Sequence, residues 1–395
     1  MNFNDVKMQD DTYIAHTYAR FPVAFCEGKG ARLYDVEGKE YIDFGSGIGT
    51  NALGYGYGDW VSAVSAQAGK LSHCSNLYYN PVTSSLSEKL CKITGMKNVF
   101  FGNSGAEANE CAIKTARKYS FDKYGRESER YNIISIKNSF HGRTVTTLAA
   151  TGQDVFHNYF FPFTEGFLYS SPDMDEIKNL VESNGKVCAV IVEVIQGEGG
   201  VYPLKTEFLK ALETYLKSRD ILLIADEIQT GIGRTGKFLA SMHAGIRPDI
   251  VTLAKGLAGG LPIGACLFGE KTEKTLSYSD HGSTFGGNLV SCAAANVVVD
   301  KVSDESFLAS VSEKGEYLKN KLISVFGDKI KDIRGNGLML GVEFVGNEAK
   351  NIASNGIKNG VAVLTAKSAV RFLPPLTITV EEIDEGVKRL AEVVE

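Results

Sequence analysis

The sequence predicts an α/β fold built on a large, mostly parallel sheet, joined to a smaller α+β lobe. Three observations carry this reading. From about residue 85 to 295, short apolar runs rich in β-branched residues alternate with segments of helical period. The runs are apolar throughout, which marks strands covered by helices on both faces. After about residue 300 the pattern changes to long helical stretches around short strands.

Taken in order, 31–44 reads as a hairpin, with Glu37-Gly38 at its turn. Strands are expected at 99–101, 132–136, 187–194, 221–225, 250–253 and 265–268. Helices fall between several of them, at 107–121, 174–183 and 205–218. In the last part, helices at 307–326 and 380–394 flank a strand at 338–344. These divide the chain into an N-terminal segment (1–55) packing with the small lobe, a large α/β domain (56–300) and a C-terminal α+β domain (301–395). A chain of 395 residues is too long for one small core, which fits this division.

Bulk properties exclude several classes. A net charge of -5 offers no basic surface for nucleic acid or an anionic membrane. No apolar run reaches the roughly 18 residues of a membrane span. The polar start, 1–11, lacks a signal core, so a cytoplasmic protein is expected. The 7 cysteines are scattered without a CxxC pair, which reads as free thiols in a reducing compartment. The 6 histidines show no ligand spacing, and no metal site is expected.

In open α/β sheets, ligands sit beyond the carboxyl ends of the strands. Lys255 ends the apolar run at 250–254 and precedes glycines. There it reads as a desolvated amine of lowered pKa suited to a Schiff base, or as a lysine snorkelling from a strand end. Asp226 ends another apolar strand, where a buried carboxylate needs a cation, and the sequence shows no obligatory protein partner. Ser104 and Glu107 fit a capping box, and Gly105 and Ala106 leave the helix start open as an anion site; an unoccupied helix cap fits as well. In Ser139-Phe-His-Gly-Arg-Thr144, Phe140 reads as a stacking ring or a core residue, and Arg143 as a fork for a carboxylate. Glu193 and Glu198 follow the 187–194 strand and suit a basic substrate group or an arginine. Ser283 and Thr284 lie between glycines, as a phosphate contact or a plain loop would. Together these residues supply what pyridoxal phosphate requires: an amine, an acid at the ring nitrogen, a phosphate cup and a stacking ring.

On these residues the chain resembles the class III aminotransferases of the fold-type-I pyridoxal-phosphate superfamily. The likeness runs from Gly30-Ala-Arg-Leu-Tyr-Asp-Val-Glu-Gly-Lys39 to Arg371-Phe-Leu-Pro-Pro375. Asn51-Ala-Leu-Gly54, Phe140-His-Gly-Arg-Thr144 and Gln196-Gly-Glu-Gly-Gly200 resemble the acetylornithine branch. The resemblance implies that Lys255 is the Schiff-base lysine and that Asp226 holds the pyridinium proton. It implies that Gln229 contacts the ring hydroxyl side, that Ser104, Gly105 and Ala106 bind phosphate, and that Phe140 stacks on the ring. It places Thr284 at the phosphate of a neighbouring subunit, in a homodimer whose active site lies at the interface. Arg143 then binds the substrate α-carboxylate and Ser283 the acyl-amino group, while Glu198 and Arg371 form a switch pair. The implied substrates are an acylated diamino acid and the 2-oxoglutarate/glutamate pair, in arginine biosynthesis. Two departures stand out. Ala106 replaces a threonine of many relatives, and Gly54-Tyr-Gly-Tyr-Gly-Asp59 replaces a His-x-His-Pro segment. The motifs leave the donor open among acetylornithine, succinyl-diaminopimelate and ornithine. A rival reading, a nucleotide-binding module, predicts a GxGxxG or Walker loop, and Asn103-Ser-Gly-Ala-Glu-Ala108 is neither.

Overall fold

The computed structural model describes residues 1–346 and 348–394. After a first helix (Phe3–Tyr13), the chain forms an antiparallel meander, β1 (Phe25–Lys29), β2 (Arg32–Asp35) and β3 (Glu40–Asp43). Gly38 sits between β2 and β3 at φ 82°, a backbone region glycine enters without steric cost, so the expected hairpin is present.

The large sheet comprises β4 (Asn98–Gly102), β5 (Asn132–Ile136), β6 (Phe167–Ser170) and β7 (Val187–Glu193). A small hairpin of β8 (Ile195–Gln196) and β9 (Tyr202–Pro203) interrupts it, and then come β10 (Leu222–Asp226), β11 (Ile250–Leu253) and β12 (Gly264–Phe268). The order is β4-β12-β11-β10-β7-β5-β6. Only β12 runs against its neighbours. β6 escaped the sequence reading: it is an edge strand of four residues, mostly half-buried, too short and too mixed to show a buried run.

Alternate residues of each strand enter different cores. Ile134, Val190, Val192 and Leu223 pack with Phe208, Leu212 and Leu216 of helix Thr206–Ser218. Ile133, Ala189, Ile191, Leu222 and Ile224 pack with Ala112, Ile113 and Ala116 of helix Gly105–Tyr124. Covering on both faces is why these strands are apolar at most positions on both sides, with their carboxylates, Glu193 and Asp226, at the ends. Each fully buried Val, Leu or Ile side chain contributes about 1.5–3 kcal/mol.

The C-terminal part carries β13 (Ile330–Asn336), β14 (Met339–Phe344), β15 (Val361–Ala362), β16 (Leu364–Ala366) and β17 (Ala369–Phe372). Four of them form an antiparallel sheet, β13-β14-β17-β16, beside helices Glu305–Phe326, Ala349–Lys358 and Val380–Ala391. β15 instead joins β3 in parallel and extends the N-terminal meander. Phe44 and Phe372, both fully buried, meet edge to face with ring centroids 5.4 Å apart. The meander and the C-terminal lobe therefore share a core.

β12 presses against the start of helix Gly105–Tyr124. A Cβ on Gly264 would fall 2.1 Å from the Ser104 carbonyl oxygen, a backbone atom that cannot rotate away. Gly264→Ala is expected to destabilise the protein by about 1–3 kcal/mol, read as a lowered midpoint of thermal or urea unfolding.

Candidate active site

Pairing between strands brings the candidate carboxylates together. Asp226 of β10 lies opposite Glu193 of β7 and Thr252 of β11. Lys255 follows β11 and opens a short 3-10 turn, Lys255–Ala258. Its φ of 42° is uncommon for a residue with a Cβ and is a local strain of the kind found at functional sites. Lys255, Asp226 and Glu193 line one cavity of about 420 Å³, together with Ser104, Gly105, Ala106, Phe140, Arg143 and Gln229.

Burial lowers the Lys255 pKa to about 8, and the nearby Arg371 cation pushes in the same direction. Glu198, Glu193 and Asp226 oppose the shift without cancelling it. An appreciable fraction of this amine is therefore neutral near physiological pH.

Asp226 is 3% exposed, and the structure supplies the protein partners that the sequence did not reveal. Its Oδ2 accepts from Asn109 Nδ2 and from His141 Nδ1, each at 2.8 Å, and its Oδ1 accepts from the Ile228 N–H at 3.1 Å. Asn109 is itself oriented. Its Nδ2 also donates to the His141 carbonyl, and its Oδ1 accepts from Thr252 Oγ1, each at 2.8 Å. A carboxylate has only acceptors, so His141 bears its proton on Nδ1. Sequence reasoning read the 139–144 motif for Phe140 and Arg143 and passed over His141 as an Asp226 ligand. The available signal was a polar residue, Asn109, on the inner side of a helix otherwise faced with Ala108, Cys111 and Ala112.

Glu193 lines the cavity, and its hydrogen bonds go to loop backbone instead of an arginine. Its carboxylate accepts from the Phe140 N–H at 2.8 Å and the Gly197 N–H at 3.0 Å, bracing two loops. Burial, with Asp226 as a further anion beside it, raises its pKa to about 7.

The expected capping box is only half formed. Ser104 Oγ accepts from the Glu107 N–H at 3.2 Å, but the Glu107 carboxylate reaches back to the Asn103 N–H instead of Ser104. Gly105 and Ala106 border the cavity, where the first helical N–H groups have no intrahelical acceptor and the helix dipole favours an anion. On the opposite side, Phe140 and Arg143 form a wall. The Arg143 guanidinium lies 4.1 Å from the Phe156 ring centroid and 5.5 Å from that of Phe140.

Arg371 on β17 is 3% exposed. Its Nη1 donates to Glu198 at 2.7 Å and to Gln229 Oε1 at 3.0 Å. Burial works against the Glu198 carboxylate, but Arg371, aided by Lys255, outweighs it and holds its pKa below the ordinary value. Ser283 and Thr284 do not reach this cavity. They line a separate surface hollow with Ser75, Asn76, Leu77 and Tyr278. Ser283 Oγ accepts from Asn103 Nδ2 and from the Gly286 N–H, each at 3.0 Å.

Among the described residues no cluster of His, Cys, Asp and Glu could hold a metal ion, and no helix is long and apolar enough to cross a membrane. The cavity's chemistry fits pyridoxal phosphate. A fixed carboxylate, an open helix start, an aromatic wall and a desolvated amine border one space.

Comparison with known proteins gives the same direction. Residues 13–394 match the family described as Aminotransferase class-III. The chain is 52% identical to the acetylornithine aminotransferase of Haemophilus ducreyi, over 100% of this chain and 99% of that one. It is 47% identical to the acetylornithine aminotransferase of Aquifex aeolicus, over 97% and 100%. Among solved structures it is similar to the ornithine aminotransferase from Toxoplasma gondii (TM-score 0.95, 33% identity, 100% and 95% covered). It is also similar to the N-acetylornithine aminotransferase from Stenotrophomonas maltophilia (TM-score 0.85, 36% identity, 98% of each chain).

The depressed Lys255 pKa has a direct readout. In the cofactor-free chain, acylation of Lys255 by a small acyl donor such as acetic anhydride, which loses acetate, is expected to rise with pH through a midpoint of about 8. Surface lysines should titrate near the usual value of about 10.4. Peptide mass spectrometry across a pH series measures both.

Proposed function

The chain belongs to the class-III aminotransferases, and from that premise we propose that it moves the δ-amino group of N2-acetylornithine to 2-oxoglutarate. The products are N-acetylglutamate 5-semialdehyde and glutamate. The observation that carries the choice of substrates is the Glu198–Arg371 ion pair beside a cavity that also holds Arg143. The relatives named acetylornithine aminotransferase support the acetylated donor over succinyl-diaminopimelate and ornithine.

Pyridoxal phosphate, when bound, supplies an electron sink for the pair left by a broken bond at the amine-bearing carbon. The chain's own residues hold it and control protons. Lys255 Nζ is the covalent anchor. With a pKa of about 8 it can both take and return a proton near neutral pH. The Asp226 carboxylate keeps the ring nitrogen protonated, and Asn109 and His141 keep that carboxylate in place. The N–H groups at Gly105 and Ala106, with Ser104, receive the phosphate. Phe140 and Gln229, which border the cavity, would stack on the ring and meet its hydroxyl side, respectively.

Arg143 binds the donor's α-carboxylate in a bidentate fork. While Glu198 covers Arg371, the site presents one free guanidinium and accepts a donor with one carboxylate. When Glu198 withdraws, Arg143 and Arg371 together bind a dicarboxylate, which is 2-oxoglutarate or glutamate. Ser283 lies outside this chain's own cavity, so it would meet the acyl-amino group only across a subunit interface.

We place the site at the interface of a homodimer in the cytoplasm, with Thr284 reaching the phosphate of the neighbouring subunit. The hollow that holds Thr284 carries Leu77 and Tyr278, which are 87% and 99% exposed, and Tyr79 and Phe285 are exposed beside them in sequence. Uncovered apolar side chains of this size mark an association surface.

A donor panel with 2-oxoglutarate as acceptor tests the reading. N2-acetylornithine should give the highest kcat/KM, ahead of succinyl-diaminopimelate, ornithine and γ-aminobutyrate. Preference for another donor would contradict the substrate assignment. Lys255→Ala should lower kcat with acetylornithine by at least the 10²- to 10⁴-fold typical of a lost acid–base group. Full turnover in that variant would contradict the role of Lys255.

A further inference from the structure

Glu198 lies on the turn between β8 and β9, and Arg371 lies on β17 of the small sheet. A second polar tie joins the same two parts. Arg334 of β13 donates from Nε to the Gly200 carbonyl at 2.8 Å and from Nη2 to Glu343 Oε1 at 2.8 Å. Its guanidinium carbon stands 3.8 Å from the centroid of the Tyr202 ring. The Tyr202 hydroxyl donates to the same Glu343 oxygen at 3.2 Å, and Ser368 Oγ does so at 3.0 Å. The Arg334 and Glu343 side chains are 10% and 11% exposed, so these charges are largely withdrawn from water.

The turn they hold is strained. Val201 adopts φ 59°, a conformation that β-branched residues avoid. Its side chain is fully buried with Ile195, Met339 and Leu373. A Cβ on Gly341 of β14 would fall 2.8 Å from Val201 Cβ and 3.1 Å from the Gly200 carbonyl oxygen, so the turn sits hard against the small sheet. Strained backbone persists only where its surroundings over-determine it. Here the apolar seat of Val201 and the Arg334 bond to Gly200 do so, two residues from Glu198.

We propose that Arg334, Glu343 and Tyr202 are positioning residues that hold the β8–β9 turn where Glu198 covers Arg371, and so set how strongly the site rejects a second carboxylate. The proposal rests on the assignment of Glu198 and Arg371 given above. None of the three borders the cavity, so their influence must pass through the turn. A dicarboxylate binds Arg371 only after Glu198 leaves, and its affinity falls by the free energy of that displacement. Loosening the turn lowers that cost and tightens dicarboxylate binding, while the donor half-reaction, which needs Arg371 covered, slows.

Glutarate, a dicarboxylate with neither amine nor ketone, is the probe, titrated into the holoenzyme by calorimetry with melting curves in parallel. In Glu343→Gln its Kd should fall on the order of fivefold, the lower end of coupling between linked sites. Tyr202→Phe, which keeps the ring over Arg334, should show a smaller fall in the same direction, and it decides the matter if Glu343→Gln does not fold. Glu198→Ala is the reference. If it tightens glutarate binding while both cluster variants bind like the parent, even with lowered melting points, the cluster is only structural and the proposal is overturned. If Glu198→Ala leaves glutarate affinity unchanged, the assignment of Arg371 as the second carboxylate site fails, and the proposal falls with it.

Discussion

The site depends on the hydrogen bonds that hold the Asp226 carboxylate. A carboxylate at the end of a buried strand loses its hydration, and without partners it would protonate or disrupt the fold. Asn109 and His141 approach one oxygen and the Ile228 N–H the other, so the acceptor is fixed in direction. Asn109 is on the helix whose first turn forms the anion site, and His141 lies between Phe140 and Arg143. One carboxylate therefore registers the start of that helix, Phe140 and Arg143 against each other. Thr252, one strand over, keeps the Asn109 amide from turning.

Two acids in adjacent positions of β7 and β10 have different partners. Asp226 accepts from the side chains of Asn109 and His141. Glu193 has only backbone N–H groups, and burial raises its pKa to about 7. Lys255 lies beyond the next strand, desolvated by the same walls. Behind Gln229, which borders the cavity, Glu198 and Arg371 form an ion pair.

The features legible in sequence were those set by local pattern. Apolar runs located β5, β7, β10 and β11 to within a residue or two, because burial on both faces leaves few polar positions before the strand ends. Lys255 and Asp226 stood out because a charge closing such a run is unusual. The parts missed come from pairing between distant segments. His141 and Asp226 are 85 positions apart, and Asn109 and Asp226 are 117 apart. No local spacing announces such contacts. Glu193 looked like an ion-pair partner, and only the fold shows the loop N–H groups that occupy it. Glu107 sits at the right spacing for a capping box, but its carboxylate accepts from the Asn103 N–H and from Asn103 Nδ2 instead. β15 was hidden because its partner, β3, lies more than three hundred residues earlier in the chain.

The central claim is that a charged Asp226 carboxylate anchors the ring nitrogen of pyridoxal phosphate. The most direct measurement is the dissociation constant of pyridoxal phosphate from Asp226→Asn against the parent, followed by absorbance after dialysis. The substitution keeps the side chain's shape and removes its charge. A charge-assisted hydrogen bond contributes about 1.5–3 kcal/mol, so retention should weaken on the order of 10- to 100-fold. An unchanged dissociation constant, in a variant that melts like the parent, would contradict the account.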